Sequence, residues 1–452
     1  MDAIASFADH VVRTGFQDLP GDAVKAAKTF ILDTLGVGIA GSIGPMAGDL
    51  AETQATWGHG GEAHVWGNGG HLPAPAAAMC NAYQAHSSEF DCVHEEAVVH
   101  AVTVVLPVAL AGAERRGGVS GRDLIAAVTL GVDVAAGLGV AATTGIRFFR
   151  PATAGAFGAT AALGKLMGLD RPAMINAFSI AYGQCCGTMQ AHSEGSMLLA
   201  MQMGFNARNA VVACDLAARG FDGPKNVLEG AFGYFNLIET RGEPARVARQ
   251  LGSRWFMTEL AHKPFPSGRA THGIIEACLE LRQQHGLQAQ AIDRVTARVP
   301  PLVHHLVGRP PREQMSINYA RLCAPYLAAR ALLRGSIGFE DFTSQAYLDA
   351  QTQALAQRIA IEVQDAGNPN ALTPIEVEIG LLDGTRHAVR LDVVLGNPAK
   401  PLSRDDHLDK FRRNCQTAAR PLRHETVERL IERIDRLEDV ADVAELADQS
   451  GT

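Results

Sequence analysis

Hydrophobic positions near the start of the chain recur at helical spacing. Val24, Ala27, Phe30, Ile31 and Leu35 fall on one face, and Pro20-Gly21-Asp22 precedes them as a start signal. Further apolar stretches of helical length cover 74–88, 104–116, 120–142, 154–166, 171–184 and 202–219. Several are apolar nearly all round, as expected of helices inside a large helical domain. The stretch from Leu124 to Ala142 is long enough to cross a membrane. Asp133 at its middle, and Gly131, Gly137 and Gly139 within it, favour a buried core helix instead.

After about residue 260 the period changes. Val295, Ala297 and Val299 alternate with polar neighbours, as do Ile359, Ile361 and Val363, and then Ile375, Val377 and Ile379. A last alternating run, 386–395, carries Val389, Leu391, Val393 and Leu395. Leu382-Asp383-Gly384-Thr385 separates the last two runs, and Asp-Gly there is a strong hairpin signal. The chain closes on an amphipathic helix through Val427, Leu430, Ile431, Ile434 and Leu437. The predicted fold is mainly α. An all-helical domain spans 1–259 and is completed by 398–452, and a smaller α+β domain with an antiparallel sheet spans 260–397.

Composition adds three limits. Of the 452 residues 47% are hydrophobic and 19% charged, which excludes a disordered chain. Aromatic residues are only 6% while glycine reaches 46 positions, which points to closely packed helices. Lys plus Arg number 40 against 48 Asp plus Glu, so a wide nucleic-acid footprint is excluded while a local basic pocket for an anion is not. The first residues carry two aspartates and no basic residue, unlike a secretory leader. The eight cysteines form no CxxC pair and read as reduced thiols of a cytoplasmic protein.

The standard motifs are missing: no Walker A, no HExxH, no GxSxG. His94 and His100 are not on one helical face, so no metal site is expected from them. No cofactor or metal is called for, and acid–base chemistry by side chains remains. Two constellations suit it. The first, His86 to His100, includes Glu89, Asp91, His94, Glu95 and Glu96 between two apolar helices. Its plain alternative is a solvated loop with helix caps. The second, His262-Lys263-Pro264-Phe265-Pro266-Ser267-Gly268-Arg269-Ala270-Thr271-His272, lies where the helical part hands over to the α+β part. Its Lys and Arg suit carboxylates and its Lys or His a proton. Its plain alternative is an exposed basic loop. Phe148 to Gly155 and Arg321 to Tyr326 each set a polar group at the edge of an apolar helix, a weaker signal.

Taken together these segments resemble the MmgE/PrpD family over most of the chain. The resemblance is carried by Phe30-Ile31-Leu32-Asp33-Thr34-Leu35-Gly36, by Asn81 to His86 with Glu89-Phe90-Asp91, and by His100 before Leu106-Pro107. It continues in Pro151 to Gly158, in Lys263 with Pro266, Ser267 and His272, and in Tyr326 with Gly335. It implies a helical domain with an α+β lid, a pocket between them, a homodimer, and cofactor-free proton chemistry beside a carboxylate. The activity implied is that of a lyase or isomerase (dehydratase, epimerase or decarboxylase) on a small hydroxy- or amino-carboxylate.

The sequence also departs from the family. Asp91-Cys92-Val93 stands where Asp-Asp-Thr is usual, Arg150 where His is usual, and Leu199-Ala200-Met201-Gln202 where a Lys precedes Leu-His. An always-charged Arg in place of His removes a proton-moving group and adds a candidate carboxylate clamp, so a substrate other than methylcitrate is expected. On this reading His100 is the first choice for the base, with Asp91 or Glu89 to orient it or to replace it. Lys263 supports the developing anion, and His272 and Tyr326 are candidate acids. Arg150, Ser267, Arg269 and Gln202 are the candidates for substrate binding. The alternative is a catalytically degenerate member that serves as a dimeric binding or regulatory scaffold. No nucleic-acid or membrane partner is expected.

Overall fold

The computed structural model describes residues 2–368 and 370–451. Its internal packing divides the chain into two units, one of Met1–Met189, Leu198–Leu260 and Ser403–Thr452, the other of Gln190–Met197 and Ala261–Leu402. The fold is mainly α, at 58% helix against 10% strand.

The first unit is mainly helical rather than all-helical, since Ala63–Val65 and Gly70–Leu72 pair as a short antiparallel hairpin in it. Its framework is α1 (Gly21–Ala40), α2 (Ala74–Ser87), α3 (Ala101–Arg116), α4 (Gly121–Ala141), α5 (Arg150–Leu166) and α6 (Leu198–Ala218). Helix α4 starts where the Ser120 hydroxyl accepts the Asp123 amide at 3.2 Å. It is long and apolar enough to span a membrane, yet that window is entirely buried inside the protein. Small residues explain how it packs. A Cβ on Gly131 would lie 2.7 Å from the Gly158 carbonyl oxygen, and one on Gly158 would lie 2.4 Å from the Gly131 oxygen. Helices α4 and α5 therefore cross backbone to backbone, a spacing that only glycine on both sides allows. Asp133 at the middle of α4 accepts the Phe256 amide at 2.9 Å and contacts His10 Nε2 at 3.0 Å. Burial pushes its carboxyl pKa up, against the pull of His10.

Two late helices, Arg404–Thr417 and His424–Asp435, complete this unit. The first begins at a Ser403 cap and turns His407, Lys410, Phe411, Asn414 and Cys415 inward. A Cβ on Gly36 of α1 would come within 2.6 Å of the Phe411 ring, so α1 and this helix are in close contact. In the second, Val427, Leu430, Ile431 and Ile434 form the buried face.

The second unit is built on a four-stranded sheet. Its strands are β1 (Ile292–Val299), β2 (Ile359–Val363), β3 (Ile375–Leu381) and β4 (Arg386–Leu391), in the spatial order β2-β1-β3-β4. Val295, Ala297 and Val299 share a buried face with Ile375, Val377 and Ile379, with Val295 opposite Ile379 and Ala297 opposite Val377. The β3–β4 hairpin turns through Asp383-Gly384, where Gly384 has φ +88° and Asp383 Oδ1 accepts the Thr385 amide at 2.8 Å. The sheet was expected to be antiparallel, and β1, β3 and β4 pair so, while β1 and β2 pair in parallel. The chain between them runs through helices, including Ala350–Ala356, and so returns to the end at which it began. Strand β4 also stops at Leu391, short of the expected Leu395. Helices α7 (His272–His285) and α8 (Ala324–Arg334) belong to this unit, and Gly273 of α7 lets Ile375 approach closely.

Candidate acid–base site

The densest polar cluster grows out of the end of α2. His86 lies in its last turn, and Glu89 then takes a left-handed backbone, φ 52°, with its amide on the His86 carbonyl at 2.9 Å. A non-glycine residue there is uncommon, and such conformations collect at functional sites. The turn brings Asp91 back beneath the helix end with no exposure at all. A carboxylate so buried needs hydrogen bonds to offset its lost water.

Several of them converge on one Asp91 oxygen. Oδ2 lies 2.9 Å from His86 Nδ1, 3.2 Å from His100 Nδ1 and 2.6 Å from the Thr103 hydroxyl, which donates to it. His100 Nδ1 is also 3.0 Å from the Cys92 carbonyl oxygen. A carbonyl only accepts, so Nδ1 carries the hydrogen. In the neutral ring the lone pair is then on Nε2, the position of a general base. His86 Nε2 lies 3.6 Å from Glu89 Oε1. The two imidazoles meet edge to face at 5.0 Å, with Phe149 5.6 Å from His86. His86, Glu89, Asp91 and His100 thus form one buried proton-carrying cluster on a hydrogen-bonded base.

The donor atoms of these four residues lie within 4.8 Å of one another, and such a set also suits a divalent cation. Asp91 Oδ2, however, is the oxygen on which the two histidines and Thr103 converge. His94, from the same stretch, turns away from the cluster and pairs with Glu259 at 3.0 Å. Glu259 also takes the Arg254 guanidinium. Burial works to raise the Glu259 carboxyl, but Arg254 and His94 hold it down to about 2.

Arg150 does not have the open guanidinium expected of a carboxylate clamp. It is fully buried and forks onto Glu239, Nε to Oε1 and Nη2 to Oε2, each at 2.8 Å. Its remaining hydrogen bonds go to the Ala97 and Thr144 carbonyls. Tyr234 donates to Glu239 Oε1 at 3.2 Å. The cation that replaces the expected histidine is therefore neutralised in place. Gln202 is buried in the first turns of α6 and accepts the Thr188 amide on Oε1 at 2.6 Å. Its Nε2 has no partner among the described residues. Leu199, one turn earlier, is buried as well.

The second constellation lies in the other unit and is tied to a neighbouring loop. Arg269 Nη1 donates to Leu395 O at 2.7 Å and to His262 O at 3.3 Å, and Nη2 donates to Val394 O at 3.2 Å. The His262 amide donates to Gly396 O at 2.9 Å. His272 Nε2 is 3.1 Å from the Ser267 carbonyl, so that nitrogen carries its hydrogen, and Nδ1 faces Arg269 at 3.4 Å. Ser267 and Thr271 bond each other through their hydroxyls at 2.8 Å. Lys263 is completely buried. Arg269, expected to hold substrate, holds loop carbonyls, and His272, expected as an acid, points its proton at a backbone oxygen. Tyr326 on α8 donates its hydroxyl to Asp341 O, and burial pushes its pKa well up. Arg330 holds the Asp341 carboxylate at 2.6 Å.

The residues missed from the sequence are Thr103 and Glu239, and His86 was placed in the constellation but given no role. Thr103 follows the acidic loop, and the signal for it was proximity to Asp91. Glu239 is 89 positions from Arg150 and carried none.

A family model described as the MmgE/PrpD N-terminal domain matches residues 5–246. One described as the MmgE/PrpD C-terminal domain matches residues 265–436. The chain is 29% identical over 444 residues to cis-aconitate decarboxylase of Mus musculus, covering 94% of this chain and 88% of that one. It is 29% identical over 443 residues to the human cis-aconitate decarboxylase, covering 94% and 90%. With 2-methylcitrate dehydratase of Salmonella typhimurium it shares 25% identity over 207 residues, 44% of this chain and 42% of that one.

Proposed function

We propose that this chain, which belongs to the MmgE/PrpD family, is a cofactor-free lyase that moves a proton on a small polycarboxylate through His100. That it is a lyase-type enzyme follows from its relatives. The observation that carries the finer reading is the convergence of His86, His100 and Thr103 on Asp91 Oδ2. It fixes the His100 tautomer and offsets the charge of the imidazolium once Nε2 takes a proton.

Two reactions fit such a group. In a dehydration, neutral His100 takes the proton beside a carboxylate, the electron pair forms the double bond, and hydroxide leaves with a proton from an acid. In a decarboxylation, the bond to a carboxylate carbon breaks, CO2 leaves, and the electron pair left on the substrate takes a proton from imidazolium. The relatives that match along nearly the whole chain are named as decarboxylases, and this favours the second reaction on an unsaturated polycarboxylate. Glu89 and His86 are the candidates for passing the proton onward. Arg150 is left out as a carboxylate-holding cation because Glu239 already neutralises it.

Proton NMR in D2O tests this with cis-aconitate, citrate, methylcitrate and malate as probes. The expected result is a product signal carrying solvent deuterium, abolished in Asp91→Asn. Turnover that survives this substitution contradicts the assignment. No turnover of any acid by a folded protein favours a non-catalytic scaffold.

A further inference from the structure

The proton chemistry does not use a deeply buried ion pair that reaches the acidic loop. Asp33, the acid of the Phe30 to Gly36 motif, lies on α1, and Lys410 lies on the helix Arg404–Thr417. Lys410 Nζ is 2.8 Å from Asp33 Oδ1, and the two side chains are 3% and 1% exposed. The same ammonium donates to the Phe90 carbonyl at 2.9 Å and lies 4.1 Å from the centre of the Phe90 ring. Phe90 O belongs to the planar peptide that leads into Asp91, so whatever holds that oxygen sets the direction in which Asp91 leaves it. The next residue of α1, Thr34, places its hydroxyl 3.9 Å from Cys92 Sγ. Cys92 in turn offers its carbonyl to His100. Asp91 is thus bracketed on both sides from α1, through Lys410 before it and through Thr34 after it.

A buried ion pair rarely adds net stability over an apolar pair of the same volume, because both charges lose their water. Here the pair also grips a loop carbonyl, which an apolar pair cannot do. We infer that Asp33 and Lys410 are positioning residues that aim the Asp91 peptide, and through it the His100 imidazole. This rests on the reading of His100 as the proton-moving group, yet it can be tested without turnover.

The test uses the full chain labelled with 15N-histidine, with His100 assigned from His100→Gln. The main variant is Asp33→Asn/Lys410→Met, which removes both charges so that neither is stranded. Asp33→Asn/Lys410→Gln keeps more hydrogen-bonding shape and serves if the first does not fold. In the wild type His100 should show the hydrogen on Nδ1. In a folded double variant its ring signals should move and this preference weaken. The kcat for any acid turned over should fall about 100-fold, as for a displaced catalytic group, with KM little changed. Lys410→Arg, which keeps the pair, should recover most of both. A folded double variant with wild-type His100 signals and kcat overturns the inference. If the wild type turns over no acid but the His100 signals still move, the positioning stands and the lyase reading fails.

Discussion

Two stretches of this chain carry nearly the same kinds of side chain and use them in opposite ways. Between His86 and Thr103, donors from α2, α3 and the connecting loop converge on a single carboxylate oxygen. Between His262 and His272, Arg269 and His272 spread their hydrogen bonds over the carbonyls of His262, Ser267, Val394 and Leu395. Convergence on a buried carboxylate fixes a tautomer and leaves a defined basic nitrogen. Dispersal over carbonyls ties one loop to another. Residue type alone does not separate these roles, whereas the direction of the donated hydrogens does.

The comparison can be broken at several points. The largest effect is expected at Asp91. Asp91→Asn should lower kcat by about 1,000- to 10,000-fold, because it upsets the tautomer of the base. Steady-state kinetics on a folded variant would show it, and a fall of under tenfold would remove Asp91 from its central place. Arg150→Met comes next, with stability as the readout. It strands buried Glu239 and should cost about 3–5 kcal/mol in urea unfolding. Adding Glu239→Leu should recover most of that loss. If the single variant is instead stable but fails to bind substrate, Arg150 is a clamp after all.

Arg269→Met should cost about 2 kcal/mol, the scale of charged hydrogen bonds to carbonyls. His100→Gln should leave the urea midpoint near that of the wild type, and the contrast between the two is the comparison in its sharpest form. The smallest effect concerns His94, which faces away from the cluster. Glu259 is held down to about 2 by Arg254 and His94 against the effect of burial. Its contribution is complete above the ordinary carboxylate range and is lost as pH falls toward 2. Glu259→Gln should therefore lower Tm at pH 7 and leave it nearer the wild type at pH 3. An equal loss at both values would show that the ion pair carries no pH dependence.

Much of this was legible in the sequence wherever the signal is local. The apolar stretch 120–142 is α4, Gly121–Ala141, because a helix buried on nearly every side writes itself as a long run in which Asp133 is the one charged residue after the first turn. Asp383-Gly384 fixed the hairpin because Gly384 needs positive φ. Alternation carries no direction, so the parallel pairing of β2 was not visible. Nor does alternation say where pairing stops. Val393 and Leu395 continue the pattern beyond Leu391, but there the Val394 and Leu395 carbonyls serve Arg269 instead of a strand. In the site, Asp91 and His100 stood out because they share one short loop. Partners that meet only through folding carried no signal: Glu239 lies 89 residues from Arg150, and Lys410 lies 320 residues from Phe90.

The central claim is that His100, fixed by Asp91, moves the proton. The most direct measurement is proton NMR of cis-aconitate with wild-type protein and with His100→Gln in D2O, both checked for folding. The wild type should form a product carrying one solvent deuterium on carbon, and His100→Gln should form none above background. Equal deuterium incorporation by the two proteins would contradict it.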